Sequence, residues 1–267
     1  MKDRHIETAF SPCPNDTYIF HAMIEGLTVT KGFGFSPRIA DVEELNQAAF
    51  EGAYPVTKLS SHAYLLLKDR YTILESGAAL GYGCGPLIVA SKDLPSLKHA
   101  RIAVPGMYTT AALLMKLWEP DCRNIEITRF DHILPGIASG RYDAGLIIHE
   151  GRFVYSEYGC REIIDLGKWW EDETTLPIPL GCIAVRNDTA ALKAMLEDSI
   201  RSSIQYARIN PGASKGYIRS HAQELDDEVI ADHIALYVNE FSISLGKKGR
   251  QALDRLEETA RCRGIIK

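Results

Sequence analysis

The chain has 267 residues, 46% of them hydrophobic and 24% charged, with a formal net charge of -5. This is globular composition, which excludes a disordered or collagen-like chain. The acidic balance argues against a nucleic-acid partner, because phosphate binding needs a clustered basic surface. The densest basic stretch, Lys247, Lys248 and Arg250, is interrupted by Gly249 and followed by acids.

The cysteines stand singly at Cys13, Cys84, Cys122, Cys160, Cys182 and Cys262, with no C-x-x-C pair and no zinc-finger spacing. Scattered thiols suit a reducing compartment. Residues 1–7 are charged and lack the apolar core of a signal peptide. No apolar run approaches membrane-spanning length. The expected location is the cytoplasm, with no membrane partner.

Along the chain, strand patterns alternate with helix patterns. A strand over 6–10 ends in Ser11-Pro12-Cys13-Pro14, and Asn15, Asp16 and Thr17 open a helix that Gly26 closes. A strand over 35–40 precedes Asp41 and Glu44, spaced as a capping box for a helix to about Gly52. Strands over 54–59 and 72–79 flank a short helix from Ser60 or Ser61. After the Gly-rich turn 81–86 come strands over 87–90 and 101–104, then a helix from Thr109 and Thr110 to Trp118. A strand over 125–130, a helix over 133–139, and strands over 143–149, 163–166 and 180–185 follow. The remainder reads as helix: 190–209, 211–222, 226–239 and 246–263, with Asp226 and Asp227 as N-cap residues.

This alternation predicts an α/β protein of mainly parallel sheets flanked by helices. Residues 85–92 and 181–187 look alike, each a glycine, an apolar run and a basic residue. Read as two crossings between lobes, they make 1–86 plus 188–267 a discontinuous first lobe and 87–187 an inserted second lobe, with a two-strand hinge.

Ligands of open α/β sheets bind beyond the C-terminal strand ends. Four segments sit there. Residues 11–17 give a stiff turn and a helix start, able either to receive an anion or only to cap the helix. Lys58, with Leu59 and Ser60, ends a strand and can pair with a carboxylate, react as an amine, or snorkel to solvent. Thr109 and Thr110 offer hydroxyls and free N–H groups at a helix start, or serve as caps. His149 follows a buried strand, and imidazole is the side chain best matched to proton transfer near neutral pH. The other histidines lack mutual metal spacing, so no metal is expected. The run 81–85 lacks the pattern of a nucleotide-binding loop and reads as hinge flexibility.

Taken together, SPCPNDT at 11–17, TKLS at 57–60, GMYTT at 106–110 and LIIHE at 146–150 resemble the 1,4-dihydroxy-6-naphthoate synthases. Residues 165–170, DLGKWW, and 221–225, HAQEL, are similar to that family too. The resemblance implies a two-lobed, periplasmic-binding-protein-like (type II) fold. It also implies a lyase of the futalosine route to menaquinone, forming 1,4-dihydroxy-6-naphthoate from cyclic dehypoxanthinyl futalosine. On it His149 is the proton acceptor, Lys58, Leu59 and Ser60 contact substrate from one lobe, and Thr109 and Thr110 from the other. Asn15 and Asp16 join them as binding candidates from the first motif. The expected partner is a small molecule, no cofactor is implied, and a homodimer is left open. Two alternatives stand beside this reading: a chorismate dehydratase of the same pathway, and a non-catalytic small-anion-binding protein.

Overall fold

A computed structural model describes residues 4–30, 32–222 and 226–267. Among these, eleven strands run in chain order as β1 (Arg4–Phe10), β2 (Phe33–Ile39), β3 (Val56–Ser60), β4 (Tyr71–Ile73), β5 (Ala79–Gly81), β6 (Leu87–Ala90), β7 (Ile102–Val104), β8 (Ile125–Ile127), β9 (Ala144–Ile147), β10 (Arg161–Asp165) and β11 (Ile178–Arg186). They form two sheets. The first has the order β2-β1-β3-β11-β4, with β5 also on β11, and the second β10-β6-β9-β7-β8.

Both sheets are mixed rather than mainly parallel. β1, β2 and β3 are mutually parallel, and so are β7, β8 and β9. β11 runs antiparallel to β3, β4 and β5, and β6 runs antiparallel to β9 and β10. The reversed strands lie where the chain passes between sheets. A strand entered there needs no helical crossover, so nothing forces it to be parallel.

Sheet membership also places the return passage. β11 lies wholly in the first sheet, so the chain comes back before Ile178, not within 180–187. The expected insert 87–187 therefore includes one strand of the first sheet. The two passages are adjacent, with Gly81 of β5 opposite Ile178 of β11. Close by, Gly85 lies against the backbone of Gly167, where an added Cβ would come within 2.2 Å of the Gly167 Cα.

The first sheet is covered on both faces, as the period-two alternation of its central strands requires. Val56, Ile183 and Val185 turn to one side and pack with Phe10, Phe20, Ile200 and Ile204. Leu59, Cys182 and Ala184 turn to the other and pack with Leu80, Phe241 and Leu253. Helix Gly246–Cys262 spans both lobes: Ala252 and Leu253 join that second cluster, while Leu256 and Ala260 join the core around Val104, Leu113 and Leu146.

Local differences have local causes. Asp41 caps helix Val42–Phe50 through the Glu43 N–H at 2.8 Å. The 72–79 strand breaks into β4 and β5 around Gly77, whose φ is +86°. Asp165 accepts from the N–H groups of Gly167 and Lys168 and starts helix Leu166–Thr174, which the pattern had not suggested. The helix expected over 211–222 is confined to Lys215–Arg219, and Gly212 has φ +90° just before it. Of the HAQEL motif, Gln223, Glu224 and Leu225 lie outside the described residues. Among the described residues no helix is long and apolar enough to cross a membrane.

Candidate active site

The C-terminal ends of β1, β3, β7 and β9 converge on one cavity between the sheets. Its wall includes Asn15, Asp16, Lys58, Leu59, Ser60, Thr109, Thr110 and His149, every residue expected from sequence. The antiparallel β11 adds Leu180 and Gly181, because Gly181 pairs with Ser60 at the same sheet end.

The first-lobe wall is built around a buried ion pair. Lys58 Nζ lies 2.5 Å from Asp16 Oδ1, with both side chains almost wholly enclosed. Asn15 Nδ2 donates to the same oxygen at 2.9 Å, and the Ser11 hydroxyl donates to Asp16 Oδ2 at 2.7 Å. Burying two charges costs several kcal/mol each, by order of magnitude, unless geometry and extra hydrogen bonds compensate. Here three side-chain donors converge on one carboxylate, and the Ser11 N–H adds a fourth bond at 3.3 Å. Lys58 thus pairs with a carboxylate and does not snorkel. Gly181 leaves room for it: a Cβ there would come within 3.2 Å of Lys58 Cε.

His149 enters from the opposite lobe, two residues past β9. Its φ of 55° is in the left-handed region, uncommon for a residue with a side chain. This backbone turn follows directly on the buried strand. Cys13 Sγ lies 3.3 Å from Nδ1, and Phe130 meets the ring edge-on at 5.1 Å between centroids. Nε2 is enclosed and has no hydrogen-bond partner. Burial lowers the imidazole to about 4; nearby Asp16 pulls it up and Lys58 pushes it down. The ring is therefore neutral at pH 7. The Cys13 thiol is driven well up by burial and by the charges of Glu150 and Asp16. It stays protonated and is not an activated thiolate.

The threonines differ from the simplest expectation. Thr109 Oγ1 donates to the Gly106 carbonyl at 2.7 Å and accepts from the Ala112 N–H at 3.1 Å, so it caps helix Thr110–Trp118. Thr110 Oγ1 donates to the Leu180 carbonyl at 2.7 Å and accepts from the His62 N–H at 3.2 Å. Both hydroxyls are committed within the protein. What remains at this wall are the N–H groups of Thr110 and Ala111, which helix geometry leaves without intrahelical partners. Ser60 is likewise held, exchanging two hydrogen bonds of 2.9 Å with Asn46. Leu59 supplies apolar wall.

Three contributors escaped the sequence reading. Glu43 spans the cleft: its carboxylate accepts from the Met107 N–H at 3.1 Å and the Tyr108 N–H at 3.2 Å. His233 and Tyr237 come from helix Asp227–Tyr237, remote in sequence from every strand end. Their signal was available. Ile230, His233 and Tyr237 are spaced three and four apart, so the histidine lies on the buried stripe of its helix. His233 Nε2 lies 3.0 Å from Asn15 Oδ1, and the Tyr237 hydroxyl donates to the Cys84 carbonyl at 3.2 Å.

This arrangement provides a neutral imidazole with one unpartnered nitrogen, helix N–H groups for an anion, and a charge pair opposite. Among the described residues no group of three or more His, Cys, Asp or Glu side chains is arranged to hold a metal.

Comparison with known proteins supplies the family. A family described as menaquinone biosynthesis matches residues 6–261. A curated relative from Thermus thermophilus, named 1,4-dihydroxy-6-naphthoate synthase, is 47% identical over 261 residues, covering 97% of this chain and 95% of the relative. A crystal structure of an Archaeoglobus fulgidus protein superposes with a TM-score of 0.94 at 37% identity, over 100% of both chains. A Candida albicans protein described as having the generic periplasmic binding protein fold gives 0.69 at 11% identity, over 98% of this chain and 90% of that one. The last likeness establishes the fold alone. The chain is an enzyme of the menaquinone biosynthesis family, in the group of the 1,4-dihydroxy-6-naphthoate synthases.

Proposed function

We propose that this enzyme converts cyclic dehypoxanthinyl futalosine to 1,4-dihydroxy-6-naphthoate, with His149 Nε2 as the base. The observation that carries the assignment is an enclosed, unpartnered imidazole nitrogen on the wall of the cavity where both lobes meet. Buried nitrogens without partners are rare in folded proteins. Here the missing partner is a substrate hydroxyl. Nε2 takes the hydroxyl proton, a carbonyl forms at that carbon, and the adjacent carbon–carbon bond breaks. The bonding electrons pass into the ring system, which aromatises as the sugar-derived fragment leaves. The carboxylate of the substrate is placed at the N–H groups of Thr110 and Ala111, where a helix start favours negative charge. The free thiols, five of the six buried, support a reducing, cytoplasmic setting.

The test is direct. The purified chain is incubated with cyclic dehypoxanthinyl futalosine, and the naphthoate is followed by chromatography. Steady formation of naphthoate is expected. Conversion of chorismate instead would assign the chain to the dehydratase of the pathway. Tight binding of the futalosine derivative without turnover would make it a binding protein.

A further inference from the structure

We propose that His233 is a second substrate-contacting imidazole, whose Nδ1 accepts a hydrogen bond from a hydroxyl of the molecule in the cavity. The inference rests on reading that cavity as the active site, and adds a residue from an element that none of the four strand ends supplies.

The hydrogen bonds behind the ring fix its tautomer. Asp16 is a carboxylate held by Lys58, so it can only accept. Asn15 therefore presents its Nδ2 to Asp16, at 2.9 Å, and its Oδ1 to His233 Nε2, at 3.0 Å. An amide oxygen only accepts, so Nε2 carries the ring hydrogen. In a neutral imidazole the other nitrogen is then a lone pair. That nitrogen, Nδ1, is enclosed and has no partner. Protonation would satisfy neither the charge nor the geometry. The ring is 1% exposed, and burial, His149 and Lys58 together hold its affinity for a proton well below the ordinary range.

A histidine that merely filled space would not need this arrangement. Packing against Tyr237, at 4.6 Å between ring centroids, explains a flat ring here. It does not explain a buried lone pair left without a donor, which is destabilising unless a ligand supplies one. His149 stands beside it, its centroid 6.4 Å away and its plane inclined by 25°, and its Nε2 is unpartnered too. Two near-parallel imidazoles on one cavity wall, each with an unpartnered nitrogen, fit a ligand with more than one hydroxyl, one for each ring. His149 takes a proton. His233, anchored through Asn15 to the Asp16–Lys58 pair, orients the second hydroxyl.

Two substitutions separate this role from packing. Gln in His233→Gln keeps an N–H at the ε position for Asn15 but has no δ acceptor. Asn in His233→Asn offers a δ oxygen and loses the bond to Asn15. The expected result is a roughly 10- to 100-fold fall in kcat/KM for His233→Gln, carried mainly by KM, with partial recovery in His233→Asn. Wild-type kcat/KM in His233→Gln, or a larger loss in His233→Asn than in His233→Gln, would overturn the inference. The second outcome would assign the effect to the Asn15 bond. Should either variant fold poorly, the imidazole ¹⁵N spectrum of the His149→Asn protein answers the same question. Adding cyclic dehypoxanthinyl futalosine is expected to shift the His233 Nδ1 resonance, and an unmoved resonance overturns the proposal. Unaltered protein that fails to form naphthoate brings down the active-site reading and this inference with it. Unaltered protein that turns over while His233→Gln matches it brings down this inference alone.

Discussion

Cys13 Sγ lies 3.3 Å from His149 Nδ1, joining the loop after β1 in one sheet to the residue just past β9 in the other. The state of one ring nitrogen is set by the partner of the other. For Nε2 to act as a base, Nδ1 must carry the hydrogen and donate it to sulfur. Cys13→Ala removes that acceptor and frees the tautomer. We expect kcat to fall by about tenfold with little change in KM, the cost of one modest hydrogen bond. Cys13→Ser, which can still accept, is expected to keep more of the rate. An unchanged kcat in Cys13→Ala would show that the thiol does not position the ring.

Removing one member of the Asp16–Lys58 pair leaves a buried charge alone. Asp16→Asn is expected to destabilise the fold by about 3–5 kcal/mol. Lys58→Met in the same chain is expected to restore much of that stability while leaving activity lost. Urea denaturation of the two single variants and the double variant measures the coupling. Additive losses would mean that the two charges do not depend on each other.

Glu43 ties the lobes together over the cavity. Its carboxylate holds the backbone of 107–108, and Gly106 permits the approach, since a Cβ there would lie 2.3 Å from Glu43 Cδ. Gly106→Ala is expected to hold the lobes apart, and Glu43→Ala to untie them. Each should lower kcat/KM by roughly 10-fold or more, as loss of hydrogen bonds to a charged group implies. Small-angle scattering is expected to show a larger radius of gyration for both. Unchanged scattering and unchanged kinetics would remove closure from the account.

The pH dependence follows from the low affinity of His149 for protons. A base works only when unprotonated, so activity exists above its pKa and is lost as the pH falls through it. Burial puts that point at about 4 rather than the ordinary 6.5. The acid limb of kcat/KM is therefore expected near pH 4, with undiminished activity at about pH 5.5. Stability has the same sign. His149 and His62, both held to about 4 by burial, take up protons more readily unfolded than folded. Stability thus declines as pH falls from 6.5 towards 4, and each rate must be paired with a folding signal at the same pH. An acid limb centred near 6.5 in folded protein would contradict the burial of the base.

The strand-end loops were readable because their signals are local. Two prolines and a helix start mark 11–17, although the helix begins at Pro14, behind Cys13, with no side-chain cap from Asn15, Asp16 or Thr17; a buried strand followed by His149 marks 146–150. The partnerships were not, because they join distant segments. Asp16 is 42 residues from Lys58 and Cys13 is 136 from His149, and no local pattern fixes such pairs. The same holds for the sheets. Alternation suggested parallel strands, while the direction of β11 is set by where the chain re-enters the first sheet. Thr109 and Thr110 show the converse. Their position was legible, but capping and a bond to β11 compete for the hydroxyls, and those bonds exist only in the folded chain.

Single-turnover rates for His149→Asn, with substrate affinity measured separately, test the assignment of the base most directly. The expected result is a loss of roughly two to four decades in the rate of naphthoate formation, with affinity nearly intact. A variant that forms naphthoate at close to the unaltered rate would contradict it.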